Sequence, residues 1–224
     1  MIKNKLVSPI LQTLFVLMAE ADEEEEEEDE DDQIESGKPC IVAAQTLNEM
    51  ALHLPPDKVI TPLLQWAEPA FKSDDIRAQQ AAYTALAVVA EGCAEHIRTK
   101  YMSAFVQCVC NGIKHPHSHV RNAALYAVGQ FSEHLQPDID KFANDILPVL
   151  FEYLSATCVS LAAGQKVPRS VDRVFYALEM FCETMEDKLI PFVPALMERF
   201  FAALNPFHVK ELAISAIGAT GKLT

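Results

Sequence analysis

The feature that most constrains the fold of this chain is an apolar stripe that recurs five times at helical spacing. In the stretch Val120–Leu135, Ala124, Ala127, Val128 and Phe131 occupy positions i, i+3, i+4 and i+7, which places them on one face of an amphipathic helix. The two alanines allow a neighbouring backbone to approach closely, and the phenylalanine fills the space beyond them. Helices that carry such a face must bury it against one another.

The other four copies of the stripe combine small and large residues in a similar way. They are Ala43, Thr46, Leu47 and Met50; Ala82, Ala85, Leu86 and Val89; Val174, Ala177, Leu178 and Phe181; and Ala213, Ala216, Ile217 and Thr220. Successive copies are roughly 40 residues apart, which is the period of HEAT and armadillo arrays. We therefore predict an all-α HEAT-repeat solenoid of about five helical hairpins forming a superhelical segment. The second member of each stripe should be buried between hairpins: Thr46, Ala85, Ala127, Ala177 and Ala216.

The repeat divides the chain into one array of five units, residues 2–54, 55–96, 97–136, 137–186 and 187–224. Two units carry extra residues between their helices, an acidic insert at 20–37 and a predicted loop insert at 156–167. Equivalent loops of a stack emerge along one edge, so both inserts should project there. The chain stops where another unit would begin, and the first helix, Lys3–Ala19, presents an apolar side with no cap in front of it, which predicts that the array belongs to a longer protein.

The charge of the chain is concentrated in one place. Asp22–Asp32 is an uninterrupted acidic run that accounts for most of the formal net charge of −14. The remainder lacks the basic surface that nucleic-acid phosphates require, so direct nucleic-acid binding is not expected. No apolar run approaches the length of a membrane span, so no membrane association is expected either. The charge favours a basic protein as partner.

The sequence offers little for catalysis or metal binding. His115, His117 and His119 alternate after Cys108 and Cys110, but a zinc site needs four converging ligands, and alternation across a proline spreads the imidazoles. We find no nucleophile–base pairing, no phosphate-cradling glycine loop and no HExxH motif. We therefore predict no enzyme activity, no metal and no cofactor.

Two further registers of the second helices carry polar or amphipathic residues. Glu91, Glu133 and Glu183 lie two residues beyond the last member of their stripes, and Tyr126 and Tyr176 lie five residues before it. Second helices stacked side by side would carry these residues as rows on the inner wall of the solenoid, forming an acidic groove lined by tyrosines. An ordinary solvated helix face would show the same residues, and this alternative stays open.

Two stretches resemble the importin-beta superfamily of nuclear transport receptors. Asp29–Leu47, DEDDQIESGKPCIVAAQTL, is similar to the family's acidic-loop repeat, in which an acidic loop precedes a Pro-Cys helix, and Ile113–Leu135 looks like a later repeat. The resemblance implies a cargo-carrying superhelix whose acidic loop and concave face bind basic proteins such as histones or ribosomal proteins and nuclear localisation segments. It also implies release of that cargo by Ran-GTP, contact with phenylalanine-glycine nucleoporins through the first helices, and a monomer that shuttles between cytoplasm and nucleus.

These arguments predict one candidate site for cargo or Ran, built from the acidic insert and the inner wall. Its residues are Asp22, Glu23, Glu24, Glu25, Glu26, Glu27, Glu28, Asp29, Glu30, Asp31, Asp32, Glu91, Tyr126, Glu133, Tyr176 and Glu183. The alternative function is a HEAT-repeat scaffold or regulatory subunit of a multiprotein complex, which would use helix ridges and ignore basic peptides.

Overall fold

The structure is a computed structural model that describes residues 6–20, 37–165, 170–204, 213–214 and 216–218. These residues form helices and connections, and no strand occurs among them. The α-helices are α1 (Val7–Ala19), α2 (Pro39–His53), α3 (Pro56–Ala70), α4 (Ile76–Val88), α5 (Ala94–Lys100), α6 (Met102–Ile113), α7 (Ser118–His134), α8 (Ala143–Ala162), α9 (Val171–Thr184) and α10 (Val193–Ala203). Two 3-10 helices, Asp138–Phe142 and Glu186–Phe192, precede α8 and α10.

The helices are arranged in two layers. The first helices α1, α3, α6 and α8 pack against the second helices of their own pairs, α2, α4, α7 and α9, and α10 continues the first layer. Each layer also packs within itself, since α4 contacts α2 and α7, α7 contacts α9, and α8 contacts α6 and α10. This is the predicted HEAT solenoid, in which helix pairs stack side by side. Contacts along α4, α7 and α9 are more extensive than those along α6, α8 and α10, so the second helices pack more tightly together than the first helices do.

The apolar stripes lie where helices of neighbouring pairs meet. Four of the five predicted seam residues are fully buried, namely Ala85, Ala127, Ala177 and Ala216. The large members of the stripes bridge the two layers. The ring of Phe131 on α7 is buried and stacks on Phe105 of α6 with 6.1 Å between the ring centroids. Small residues thus set the helix spacing along a layer, and aromatic rings fill the gap between layers.

The prediction was wrong for Thr46, which is exposed and donates a hydrogen bond of 2.7 Å from its hydroxyl to the carbonyl oxygen of Val42. The buried line of α2 consists of Ala43, Leu47 and Ala51, spaced every four residues. The physical reason is the position of α2, which among the described residues packs against one second helix, α4. A helix with one such neighbour buries a narrower stripe than α7, which has two.

The prediction of a loop at 156–167 was also wrong over most of that range. Residues 156–162 are the last turns of α8, a helix of 20 residues, and Thr157 and Cys158 are buried there. The connection begins at Ala163, and Gly164 has a φ of +83°, a backbone conformation that side chains disfavour. The additional residues therefore lengthen the first helix of this pair.

The predicted boundary between residues 96 and 97 cuts through α5, which runs from Ala94 to Lys100. Ile97 is fully buried in this short helix, and the backbone N–H of Tyr101 bonds to its carbonyl oxygen. α5 packs on α6 and leads into it, so it belongs to the first layer of the third pair. The unit begins a few residues earlier than the sequence pattern suggested.

One segment differs from the expectation that no run approaches membrane-span length. Asp138–Ala162 is long and apolar enough to cross a membrane by length and composition, and half of it is buried within the protein. Within this segment α8 contacts α6, α9 and α10. Its apolar composition is accounted for by these neighbours, as in the core helix of a globular fold.

Candidate functional site

Three of the predicted wall residues meet where α7 packs against α9. Tyr126 and Glu133 lie on the strip of α7 that the core leaves uncovered, and Tyr176 lies on the facing strip of α9. The Tyr176 hydroxyl donates a hydrogen bond to Oε2 of Glu133. The glutamate is exposed, and both tyrosines are half-buried. The packing of the two helices therefore joins one carboxylate and two aromatic rings into a single surface.

A glycine on α7 makes room for the ring of Tyr176. A Cβ at Gly129 would lie 2.9 Å from Cδ1 and 3.2 Å from Cε1 of that ring, closer than ordinary carbon–carbon contact. The ring thus occupies the space where a side chain is missing. Burial, together with the hydrogen bond to Glu133 and its charge, raises the pKa of Tyr176 well above its ordinary value. The hydroxyl is protonated at neutral pH in any case, and the raised pKa extends the pH range over which it donates this bond.

The wall also contains a cation that the sequence analysis missed. The guanidinium carbon of Arg173 lies 5.2 Å from the centroid of the Tyr126 ring, within the range of a cation–π interaction. Nη1 of Arg173 donates a 2.7 Å hydrogen bond to the carbonyl oxygen of Asn122 on α7. Arg173 precedes Tyr176 by three residues, and this spacing on a helix could have placed both on one face. We call this set of residues the α7–α9 patch: Tyr126, Gly129, Glu133, Arg173 and Tyr176.

The two other predicted glutamates lie outside the α7–α9 patch. Glu183 is exposed near the end of α9, two turns beyond Tyr176 on the same side of the helix. Glu91 does not lie on a second helix at all, because α4 ends at Val88 and Glu91 belongs to the turn that follows. The shared register predicted from the sequence therefore fails for Glu91.

The acidic run Asp22–Asp32 lies outside the described residues. The helices on either side of it are described, and α1 ends at Ala19 while α2 begins at Pro39. The run thus joins the first and second helices of the first pair.

The connection between α6 and α7 carries the histidines noted in the sequence. Their rings and backbone groups form hydrogen bonds and ring contacts within this turn. The backbone N–H of His117 donates to Nδ1 of His115 at 3.1 Å, and the rings of His117 and His119 stack at 5.2 Å. Arg121 donates from Nη1 to the carbonyl oxygens of His115 and Pro116. Over the part of the chain that the structure describes, no group of three or more His, Cys, Asp or Glu side chains could hold a metal ion.

A cleft opens on the opposite, first-helix side between α8 and α10. It has a volume of about 580 Å³ and is lined by Ser155, Cys158, Val159, Leu161, Ala162, Glu198, Arg199 and Ala202. Val159 is 71% exposed there, and Nε of Arg199 is buried without a hydrogen-bond partner. The family resemblance implied nucleoporin contacts on the first helices, but no residue of the sequence identified them.

Comparisons with known proteins agree with this architecture. A family model described as HEAT-like repeat matches residues 76–131, which extend from α4 into α7. Importin-4 of Mus musculus is 39% identical over 165 residues, covering 70% of this chain and 15% of that protein, and Importin-4 of Homo sapiens is 37% identical over the same length. This chain belongs to the importin-beta superfamily.

The importin-beta relationship extends to solved structures. The crystal structure of Kap121p bound to Pho4p has a TM-score of 0.83 and 25% identity, covering 97% of this chain and 21% of that one. Kap121p bound to RanGTP gives a TM-score of 0.81 with the same coverage. The chain spans about 15% of the length of the Importin-4 relatives, so it corresponds to one section of a longer importin solenoid.

Proposed function

We propose that this chain is a section of a nuclear import receptor that binds a lysine- and arginine-rich segment of its cargo on the second-helix side. The observation that carries the proposal is the α7–α9 patch. It presents the exposed carboxylate of Glu133 beside the rings of Tyr126 and Tyr176. A cationic side chain arriving there gains attraction from the carboxylate, while the guanidinium of Arg173 already lies over the Tyr126 ring. The similarity to Importin-4 supports the assignment to nuclear import.

The acidic run Asp22–Asp32 has a separate role in the proposal. A block of like charges attracts an oppositely charged partner over about a Debye length, roughly 10 Å at 0.1 M salt. It would draw basic cargo such as histones or ribosomal proteins to the edge of the solenoid, and the wall would then bind it. We further propose that Ran-GTP releases this cargo, and that the receptor is monomeric and shuttles between cytoplasm and nucleus. The fold similarity to Kap121p bound to RanGTP supports the Ran-dependent step.

The test is a titration of a labelled histone-tail peptide followed by fluorescence anisotropy at two salt concentrations. We expect binding that weakens with salt and that weakens further when Asp22–Asp32 is deleted. Replacing Glu133 with glutamine should reduce affinity about two- to fivefold, the range of an exposed charge pair. Glu152→Gln is the matched control, since Glu152 is exposed on the first helix α8 and the substitution changes the charge equally.

Three results would argue against the proposal. Absence of peptide binding would favour the scaffold alternative, because a scaffold docks through helix ridges. Binding that does not respond to salt, in both the intact chain and the chain without Asp22–Asp32, would favour it as well. Equal losses in Glu133→Gln and Glu152→Gln would show that only the overall charge matters and that the α7–α9 patch is not the binding surface.

We also propose that the cleft between α8 and α10 receives a phenylalanine side chain of a nucleoporin repeat. The apolar lining, with Val159 71% exposed at its rim, suits an aromatic ring. Ala202→Glu would place a charged side chain in the cleft and should abolish binding of a phenylalanine-glycine peptide while leaving histone-tail binding unchanged. Loss of both activities would instead indicate a folding defect, and loss of neither would refute this site.

A further inference from the structure

We propose that Gly129 is a positioning residue for the proposed cargo site, acting through Tyr176 on the carboxylate of Glu133. The expected effect of Gly129 on peptide binding rests on the proposed function. Its expected effect on Tyr176 and Glu133 rests on the geometry of the α7–α9 patch. Gly129 contributes no side chain that a ligand could touch. Its contribution is the space that it leaves on α7.

The first step is the contact between the two helices. Gly129 is buried within α7, and a Cβ there would lie 2.9 Å and 3.2 Å from two ring carbons of Tyr176. A real Cβ essentially never lies at the shorter of these distances, so an alanine would force the ring to move. Because α9 packs against α7, we expect the Tyr176 side chain to take up this shift.

The second step is the hydrogen bond at the end of the ring. The Tyr176 hydroxyl donates to Oε2 of Glu133, one turn beyond Gly129 on α7. An exposed glutamate otherwise samples several rotamers, and ordering it costs free energy when a ligand binds. The tyrosine orders this carboxylate in advance. Movement of the ring therefore shifts the hydroxyl and disturbs this bond, which leaves Glu133 its charge and its 3.7 Å contact with Nε2 of His134 but not its ordered position.

The consequence is a specific pattern of effects. Gly129→Ala should weaken binding of the basic peptide about two- to fivefold, comparable to loss of one charge-assisted hydrogen bond in an exposed setting. Alanine is a better helix former than glycine, which offsets the crowding, so the melting temperature should stay within about 3 °C of the wild type. In the Tyr176→Phe background the bond is already absent, and Gly129→Ala should then weaken binding no further.

Gly112→Ala is the matched control. A Cβ at Gly112 would also collide with a tyrosine, lying 2.5 Å from Cζ and 2.7 Å from the hydroxyl oxygen of Tyr83. That tyrosine is buried between the layers and donates to the carbonyl oxygen of Cys108. Gly112→Ala should therefore lower the melting temperature and leave peptide affinity unchanged, the reverse of Gly129→Ala.

A second measurement does not depend on peptide binding. The ¹³Cζ resonance of Tyr176, assigned by its absence in Tyr176→Phe, reports the hydrogen bond of the phenol at neutral pH. It should shift in Gly129→Ala and in Glu133→Gln and stay in place in Gly112→Ala. An unchanged resonance in Gly129→Ala would overturn the inference, as would unchanged peptide affinity in a wild type that binds. If the wild type does not bind the peptide, the proposed function fails, and the resonance alone decides whether Gly129 positions Tyr176.

Discussion

Replacing Gly92 with alanine tests how the first two helix pairs are joined. A Cβ at this position would lie 2.3 Å from the carbonyl carbon and 2.4 Å from the carbonyl oxygen of Ala51, and 2.5 Å from the backbone nitrogen of Leu52. All three atoms belong to the last turn of α2, so no side-chain rotation can relieve the contact. Gly92 has no positive φ that would itself disfavour alanine, and the collision is the whole effect.

The magnitude follows from the distance to be recovered. Restoring a normal separation of about 3.4 Å requires the turn after α4 and the end of α2 to move apart by roughly 1 Å, against a close-packed interior. Overpacking of this kind costs about 1–3 kcal/mol or more. The lower entropy of an unfolded chain with alanine returns about 0.4–1 kcal/mol. We expect a net loss near 2 kcal/mol, and a melting temperature lower by about 4–8 °C for a chain of this size.

Thermal unfolding followed by circular dichroism measures this loss, and hydrogen exchange shows where it acts. The control is Gly37→Ala, because a Cβ at Gly37 meets nothing within 4 Å. Faster exchange in Gly92→Ala should be concentrated in α1 and α2, since these helices are held by the contact. An unchanged melting temperature, or exchange that accelerates equally in α7 and α9, would refute the reasoning.

Two further substitutions or conditions give independent checks. Asp75 caps α4 by accepting from the backbone N–H groups of Arg77 and Ala78 at 3.0 and 3.2 Å, so Asp75→Ala should cost about 1 kcal/mol in urea unfolding. Burial raises the pKa of Cys93 and of Cys108 to about 11, so both thiols should be alkylated at pH 8 far more slowly in the native chain than in urea. The unfolded chain loses these protons first as pH rises past about 8.5, and the folded chain holds them until about pH 11. Stability should therefore fall with rising pH between these values and be unaffected by these groups below them, which urea midpoints at pH 7, 9 and 10 would show.

The sequence predicted the helix pairs best where a helix has neighbours on both sides. The stripe of α7 was identified correctly because its apolar positions record contacts that are all present within the chain. Thr46 was misplaced because α2 packs against a single second helix among the described residues, and periodicity alone cannot show how many neighbours a helix has. The range 156–167 was misread for a related reason. The spacing between stripes shows that residues have been added. It does not show whether they lengthen a helix or a loop, because both change the spacing in the same way.

The candidate site was predictable as far as it depends on helical register. Tyr126, Glu133 and Tyr176 lie on the uncovered strips of α7 and α9 because their spacing from the apolar stripe determines their direction. Glu91 failed because register has meaning only while the helix continues, and α4 ends before it. Gly129 was not identified because its importance depends on the axial position of α9 relative to α7. That offset between two helices is a tertiary quantity which neither helix encodes alone.

The geometry of the second-helix side also limits how much any one residue can contribute to the affinity for a ligand. A second helix between two neighbours leaves one uncovered strip, and on α7 this strip presents about one side chain per turn, including Tyr126, Gln130 and Glu133. Adjacent helices lie about 8–10 Å apart, which corresponds to roughly three residues of an extended ligand. A peptide that crosses the wall therefore meets each helix through one or two side chains only. Affinity must accumulate over several helices, so a single substitution such as Glu133→Gln should weaken binding severalfold without abolishing it, and an ordered carboxylate is worth more than a mobile one at each crossing.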